Sequence, residues 1–226
     1  NNWVENALVG FFFEISRGAT VAGNVFVNCD RGVWVLNSAN ARVYHNTFVD
    51  TVASFERNER SAVGDHFGWH PRTGPGVGER EGHVFVGNLL VASASFRKPL
   101  LRFEQPKALC AQLTRPQAKE VDGNVYVRAA SGGPLLVWSP VAGESCQVEL
   151  GSLEELRKLQ PGLEARGRSF TEYAGALFRS PELRRLELAG PLPGLPALEG
   201  MPVEVRRLLG WPEKGPLTPG AFPARR

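Results

Sequence analysis

A gapless offset of 22 residues constrains this chain more than any other feature of its sequence. Gly10 falls on Gly32, Ser16 on Ser38, Val21 on Val43 and Asn24 on Asn46. Each unit carries short apolar stretches and the bends between them, and a period of about 20 residues is one turn of a solenoid. A motif of a large apolar residue, two positions, Asn, one position, a large apolar residue and Val spans Trp3 to Val9, Val21 to Val27, Val43 to Val49, Phe85 to Val91 and Val121 to Val127. Its asparagines are Asn6, Asn24, Asn46, Asn88 and Asn124, at steps of 18, 22, 42 and 36 residues. A second short strand sits between these motifs, in Gly10 to Glu14, Gly32 to Leu36, Leu100 to Glu104 and Leu135 to Trp138.

An antiparallel sandwich has strands this short, but it does not explain a fixed offset that carries both strands and both bends. The repeat therefore predicts an all-β chain, a right-handed parallel β-helix over residues 1–150. At each bend the Asn is expected to accept left-handed backbone and to bond the Asn of the next coil. The 42-residue step predicts one coil plus an inserted loop at about 50–82, polar and rich in Gly and Pro. After residue 150 the repeat stops. Ser152-Leu153-Glu154-Glu155 starts a helix through Gln160 with a capping box, Ser180-Pro181 starts another, and Val203 to Leu209 is a third. Residues 151–226 are thus expected to form a short irregular and helical C-terminal cap and tail. Because Asn1 opens inside a strand pattern, an N-terminal β-helix segment, from the same gene or another chain, is expected to cap residue 1.

Charge and hydropathy remove two classes of partner. The net charge is only +3 and the basic residues are scattered, so no nucleic-acid surface is expected. No apolar run approaches the ~20 residues of a membrane span. Cys29, Cys110 and Cys146 lack metal-ligand spacing, and neither a metal nor another cofactor is expected. Cys110 and Cys146 could pair if their loops meet, or all three could be buried thiols. Pairing would suit a secreted or periplasmic protein.

Glu14 is the most informative candidate for chemistry. In Phe11-Phe12-Phe13-Glu14-Ile15, alternation turns Phe11, Phe13 and Ile15 inward, with Phe12 and Glu14 outward. A carboxyl among three phenylalanines is desolvated, a setting that suits a general acid, although an outward Glu on a solvated sheet face is also ordinary. Glycoside hydrolysis needs a second carboxylate, about 5–5.5 Å away in a retaining enzyme, and stacked coils lie about 4.8 Å apart. The aligned residue on the next coil is Leu36, so a partner must come from a preceding coil or from Glu56 or Asp65. Trp34 lies outward beneath Phe12, as a sugar platform or as packing under a loop. His45 is either substrate-binding or a filler at its bend. Asp65, His66, Trp69, His70 and Arg72 cluster within eight residues of the loop and are candidates for substrate binding. Glu104 is a weaker candidate.

The run Asn6-Ala7-Leu8, Phe12-Phe13-Glu14-Ile15-Ser16-Arg17-Gly18 and Val21-Ala22-Gly23-Asn24-Val25-Phe26 resembles β-helix glycosidases, the β-xylosidases of glycoside hydrolase family 120 among them. The resemblance covers about residues 1–92. It implies that Glu14 is a catalytic acid/base and that a nucleophilic Asp lies one coil earlier, before Asn1. His45-Asn46 matches a His-Asn pair of that family, and His66 and His70 loosely match a His-containing loop. Ile15-Ser16-Arg17 stands where the family more usually has Val-Asn-His, which leaves the substrate open. The function expected is a carbohydrate-active enzyme, a glycoside hydrolase acting on an oligo- or polysaccharide. A polysaccharide lyase on the same scaffold and a non-catalytic carbohydrate-binding β-helix are the alternatives.

Overall fold

The structure is a computed structural model, and residues 1–58 and 77–222 of it are described. Short β-branched and aromatic strands alternate with bends, and each round of three strands forms one coil. The first coil is β1 (Trp3–Glu5), β2 (Val9–Glu14) and β3 (Thr20–Ala22); the second is β4 (Val25–Val27), β5 (Arg31–Leu36) and β6 (Arg42–Tyr44). The third is β7 (Thr47–Val49), β8 (Val52–Glu56) and β9 (His83–Val86), and the fourth is β10 (Leu89–Ala92), β11 (Leu101–Glu104) and β12 (Ala118–Asp122). After them come β13 (Val125–Arg128), β14 (Leu136–Trp138), β15 (Val148–Leu150) and β16 (Arg168–Phe170). Strands one coil apart pair in parallel. They build a first sheet β1-β4-β7-β10-β13-β16, a second β2-β5-β8-β11-β14 edged by antiparallel β15, and a third β3-β6-β9-β12. This is a parallel β-helix. Its ladder runs on past residue 150, because β16 pairs with β13.

Alternation fills the interior. Phe26, Phe48, Phe55, Phe85, Phe103 and Trp138 are buried in one continuous core. Phe26 stacks on Phe48 at 5.2 Å, and Phe55 on Phe103 at 4.7 Å. Phe11 and Phe13 point into the same core, as alternation requires. Ile15 does not: it turns the corner after β2 with φ 45°, aligned with Asn37 at φ 48°.

The asparagine repeat forms a ladder, with two corrections to its reading. Register pairs Trp3 with Val25 and Glu5 with Val27, so Asn2 precedes Asn24, while Asn6 stacks on Asn28 at a different bend. The ladder asparagines themselves are not left-handed. The residue before each one is: Gly23, His45, Gly87 and Gly123 have φ between 47° and 68°. The Asn then keeps its amide free to bond Asn to Asn along the stack, at 3.0–3.1 Å from Asn24 through Asn124. The inserted loop also begins later than expected. Val52–Glu56 is a full rung of the second sheet, paired with β5 and β11.

The C-terminal residues close the stack and wrap it. Helix α1 (Leu153–Leu159) has the expected capping box at Ser152, and its Leu153 and Leu156 seal the core at the last coil. Pro181–Leu183 is a single 3-10 turn instead of a helix, and it joins β17 (Phe178–Ser180) to β18 (Arg185–Leu188) in an antiparallel hairpin. Tyr173, Leu188, Leu192 and Leu195 pack on Leu89, Val125 and Val127 of the first sheet, and Leu186 and Ala221 pack near Val25. Met201, Leu217, Val205 of α2 (Val203–Leu208) and the following Leu209 and Trp211 cover Tyr44, Val84 and Val86 of the third sheet. The tail therefore takes two outer faces of the solenoid. Among the described residues it forms no such cluster on the outer face of the second sheet.

Candidate functional site

The outer face of the second sheet collects the aromatic and acidic side chains. Register stacks Phe12 on Trp34, Ser54 and Arg102 in one column, and Glu14, Leu36, Glu56 and Glu104 in the next. The rings of Phe12 and Trp34 lie 4.7 Å apart, and Phe12 is 47% exposed. The Arg31 guanidinium sits over the Trp34 ring at 4.2 Å.

Glu56 and Glu104 are direct register neighbours, one coil apart. Glu56 Oε1 accepts from Ser54 Oγ at 2.6 Å and from Arg31 Nε at 3.2 Å. Glu104 is paired with Arg102 on its own strand. The two carboxyl side chains keep only 15% and 16% of their exposure. Burial pushes the Glu104 carboxyl above its usual range, and the negative charge of Glu56 adds to this, against the pull of Arg102 and Arg31. The sequence held a signal for this column: Phe-Glu ends β2, β8 and β11 alike, as Phe13-Glu14, Phe55-Glu56 and Phe103-Glu104. The inward Phe fixes the phase of the strand, and the following Glu must face out.

Other expected site residues are not brought to this face. His45 is fully buried at the bend between the third and first sheets, where its Nδ1 meets the Thr218 carbonyl oxygen at 3.1 Å and Trp211 packs edge-on at 5.9 Å. Burial lowers its pKa to about 4, so it is a neutral filler beneath the tail. His83 is buried as well, takes the Ala41 N–H at Nδ1 and is lowered to about 3 by burial. Asp65, His66, Trp69, His70 and Arg72 lie outside the described residues. Cys110 and Cys146 form a disulfide, and Cys29 is a buried free thiol.

Residues 1–75 match the NosD family, described as periplasmic copper-binding protein. No curated protein and no solved structure shows significant similarity to the chain. The matched stretch spans the first two coils and the rungs β7 and β8, and agrees with a β-helix. Copper calls for thiolate, thioether or imidazole ligands. Among the described residues no group of three or more His, Cys, Asp or Glu could hold a metal ion. His45 and His83 are enclosed in separate packing sites, and two of the three thiols are spent on the disulfide. The described residues do not fit a copper site. Nor is any described helix long and apolar enough to cross a membrane.

Proposed function

We propose that this protein is a carbohydrate-binding β-helix that holds a glycan chain along the outer face of its second sheet. The observation that carries this reading is the division of faces. Tail residues take the outer faces of the first and third sheets, while the second presents Phe12 and Trp34 beside a column of three glutamates. Aromatic faces bury the apolar side of a sugar ring, and carboxylates and guanidinium groups bond its hydroxyls. A regular ladder supplies these groups at a repeat of about 4.8 Å, which suits an extended chain better than a compact ligand. The Cys110–Cys146 disulfide fits an oxidising compartment, as does the periplasmic description of the matched family.

The test is binding to a panel of plant and microbial polysaccharides by affinity electrophoresis and calorimetry. Trp34→Ala should weaken the bound glycan at least tenfold, with the melting temperature held within a few degrees. Equal affinity of wild type and variant for every glycan bound would reject the face.

Hydrolysis at the same face is a second reading, favoured by the raised Glu104 carboxyl next to Glu56. Adjacent coils offer about the carboxyl spacing of a retaining glycosidase. Glu104 would protonate the leaving oxygen as the glycosidic bond breaks, and Glu56 would attack the anomeric carbon. Water, deprotonated by Glu104, would then release the sugar. Glu14, two rungs from Glu56, is about 9.6 Å away along the ladder, near the upper limit for an inverting pair. With the acid/base role that the resemblance implies, it is the other candidate acid. Release of reducing sugar from a glycan that binds decides between them. Glu104→Gln should lower the rate at least a hundredfold if Glu104 is the acid, and Glu14→Gln should do so if Glu14 is. Binding without any release would leave the protein a binding module.

A further inference from the structure

We propose that Glu164 is a proton-linked latch, which fastens the segment after α1 to the last coil and loosens as the pH rises toward neutrality. The asparagine ladder has one polarity: each Nδ2 donates to the Oδ1 one coil further on. Each amide also bonds a carbonyl oxygen of the coil before, Asn46 to Val21, Asn88 to Val43 and Asn124 to Phe85. Beyond Asn124 the place of the next asparagine is taken by Glu164. Its Oε1 accepts from Asn124 Nδ2 at 2.7 Å and from Tyr126 Oη at 2.6 Å, and its Oε2 accepts from the Asn124 N–H at 3.2 Å. Its own backbone N–H donates to the Val121 carbonyl at 2.6 Å, the oxygen that the next ladder amide would have used. One residue thus supplies both the acceptor and the donor of a missing rung.

That substitution places an ionisable group in the core. Glu164 is fully buried. Its carboxyl faces Tyr126 and Asn124 on β13 and lies near Asp122 at the end of β12. The nearby cations are committed elsewhere. Arg157 of α1 donates to the carbonyl oxygens of Glu164 and Gly167, and Arg166 is paired with Asp122. Burial, helped by the charge of Asp122, raises the carboxyl to about 7 in spite of the bonds from Tyr126 and Asn124. The neutral acid stays satisfied, since its O–H can donate to the Tyr126 oxygen as that hydroxyl turns.

The sign follows from linkage. A carboxyl raised from its ordinary 4.5 to about 7 stabilises the docked form fully below pH 4.5. That contribution is lost as the pH rises through the folded value. Opening of the segment should become roughly tenfold easier per pH unit between about 5 and 7, and level off above. The Arg168 amide, bonded to the Asn124 carbonyl oxygen at 3.0 Å, reports it.

The test is hydrogen exchange of that amide from pH 5 to 8, corrected for the intrinsic rate, in the full chain and in Glu164→Gln. A falling protection in the wild type that is absent in Glu164→Gln supports the latch, and parallel profiles overturn it. Should the variant fail to fold, carbon-13 NMR of the glutamate carboxyls in the wild type decides. One signal titrating near 7, and higher still in Tyr126→Phe, supports the proposal; the absence of any such signal overturns it.

Discussion

At the bend before each ladder asparagine the chain needs left-handed backbone, and it uses glycine at positions 23, 87 and 123 but His45 between the second and third coils. The imidazole has room because its neighbour along the stack is Gly87. A Cβ built on Gly87 would lie 2.6 Å from His45 Nε2. Gly87 also has φ 68°, so a side chain there meets both strain and a clash. Gly87→Ala should cost about 2–4 kcal/mol in urea unfolding, from the left-handed penalty and overpacking together. In a His45→Gly background the clash is gone, and the cost should fall to about 1–2 kcal/mol. An equal cost in both backgrounds would show that His45 does not occupy the space above Gly87.

Among the elements, the ladder and the strand registers hold each other in place. Asn88 is fully buried, accepts from the N–H and Nδ2 of Asn46, and donates to Val43, Val86 and Asn124. Asn88→Ala strands those groups without partners and should destabilise the protein by about 2–4 kcal/mol, given ~1–3 kcal/mol for each buried polar group left unsatisfied. The bond from Asn28 to Asn6 is solvent-exposed, and Asn6→Gly, which keeps the left-handed backbone at φ 55° without a Cβ penalty, should cost less than about 1 kcal/mol. Thermal unfolding of both variants checks the contrast, and similar losses would contradict it. In the sheets, the inward Phe55 and Phe103 bring Glu56 and Glu104 side by side without any bond between the two carboxylates.

For the whole molecule, the wrap covers two outer faces of the solenoid and the disulfide fastens its later segments. The Cys110–Cys146 bond joins residues 36 apart and so ties together the segments around β12 to β15. A loop of that length is worth about 3–4 kcal/mol in the chain-entropy account. Cys110→Ser with Cys146→Ser should lower stability by about that amount, read from denaturant midpoints at unchanged slope. A loss below about 1 kcal/mol would mean that the hydrogen bonds around Gln105 and Ser139 hold this region by themselves. The tail leucines and Met201 do for two faces what another layer would do.

The sequence by itself determined the solenoid, because a 22-residue offset that preserves inward apolar residues, bends and asparagines has one economical solution: identical coils in register. It also determined the phase of β2 and β5, hence the outward Phe12, Glu14 and Trp34, since side chains alternate strictly along a strand. Register itself could not be read at Asn6. The same local pattern fits two bends, and only the pairing of Trp3 with Val25 separates them. The rung Val52–Glu56 is hard to place from the sequence because the insertion follows it directly and the next ladder asparagine, Asn88, comes 42 residues after Asn46. Apart from Ser54 and Arg102 on their own strands, Glu56 and Glu104 meet each other across 48 residues of chain (56 to 104), and Glu56 meets Arg31 across 25, while the fate of His45 is decided by residues 211–218. Those are contacts between distant segments, set by how the coils stack and the tail folds back. The offset that identifies the fold fixes what repeats from coil to coil, down to the Phe-Glu ends of β2, β8 and β11; the buried Glu164 arises where the repeat is broken.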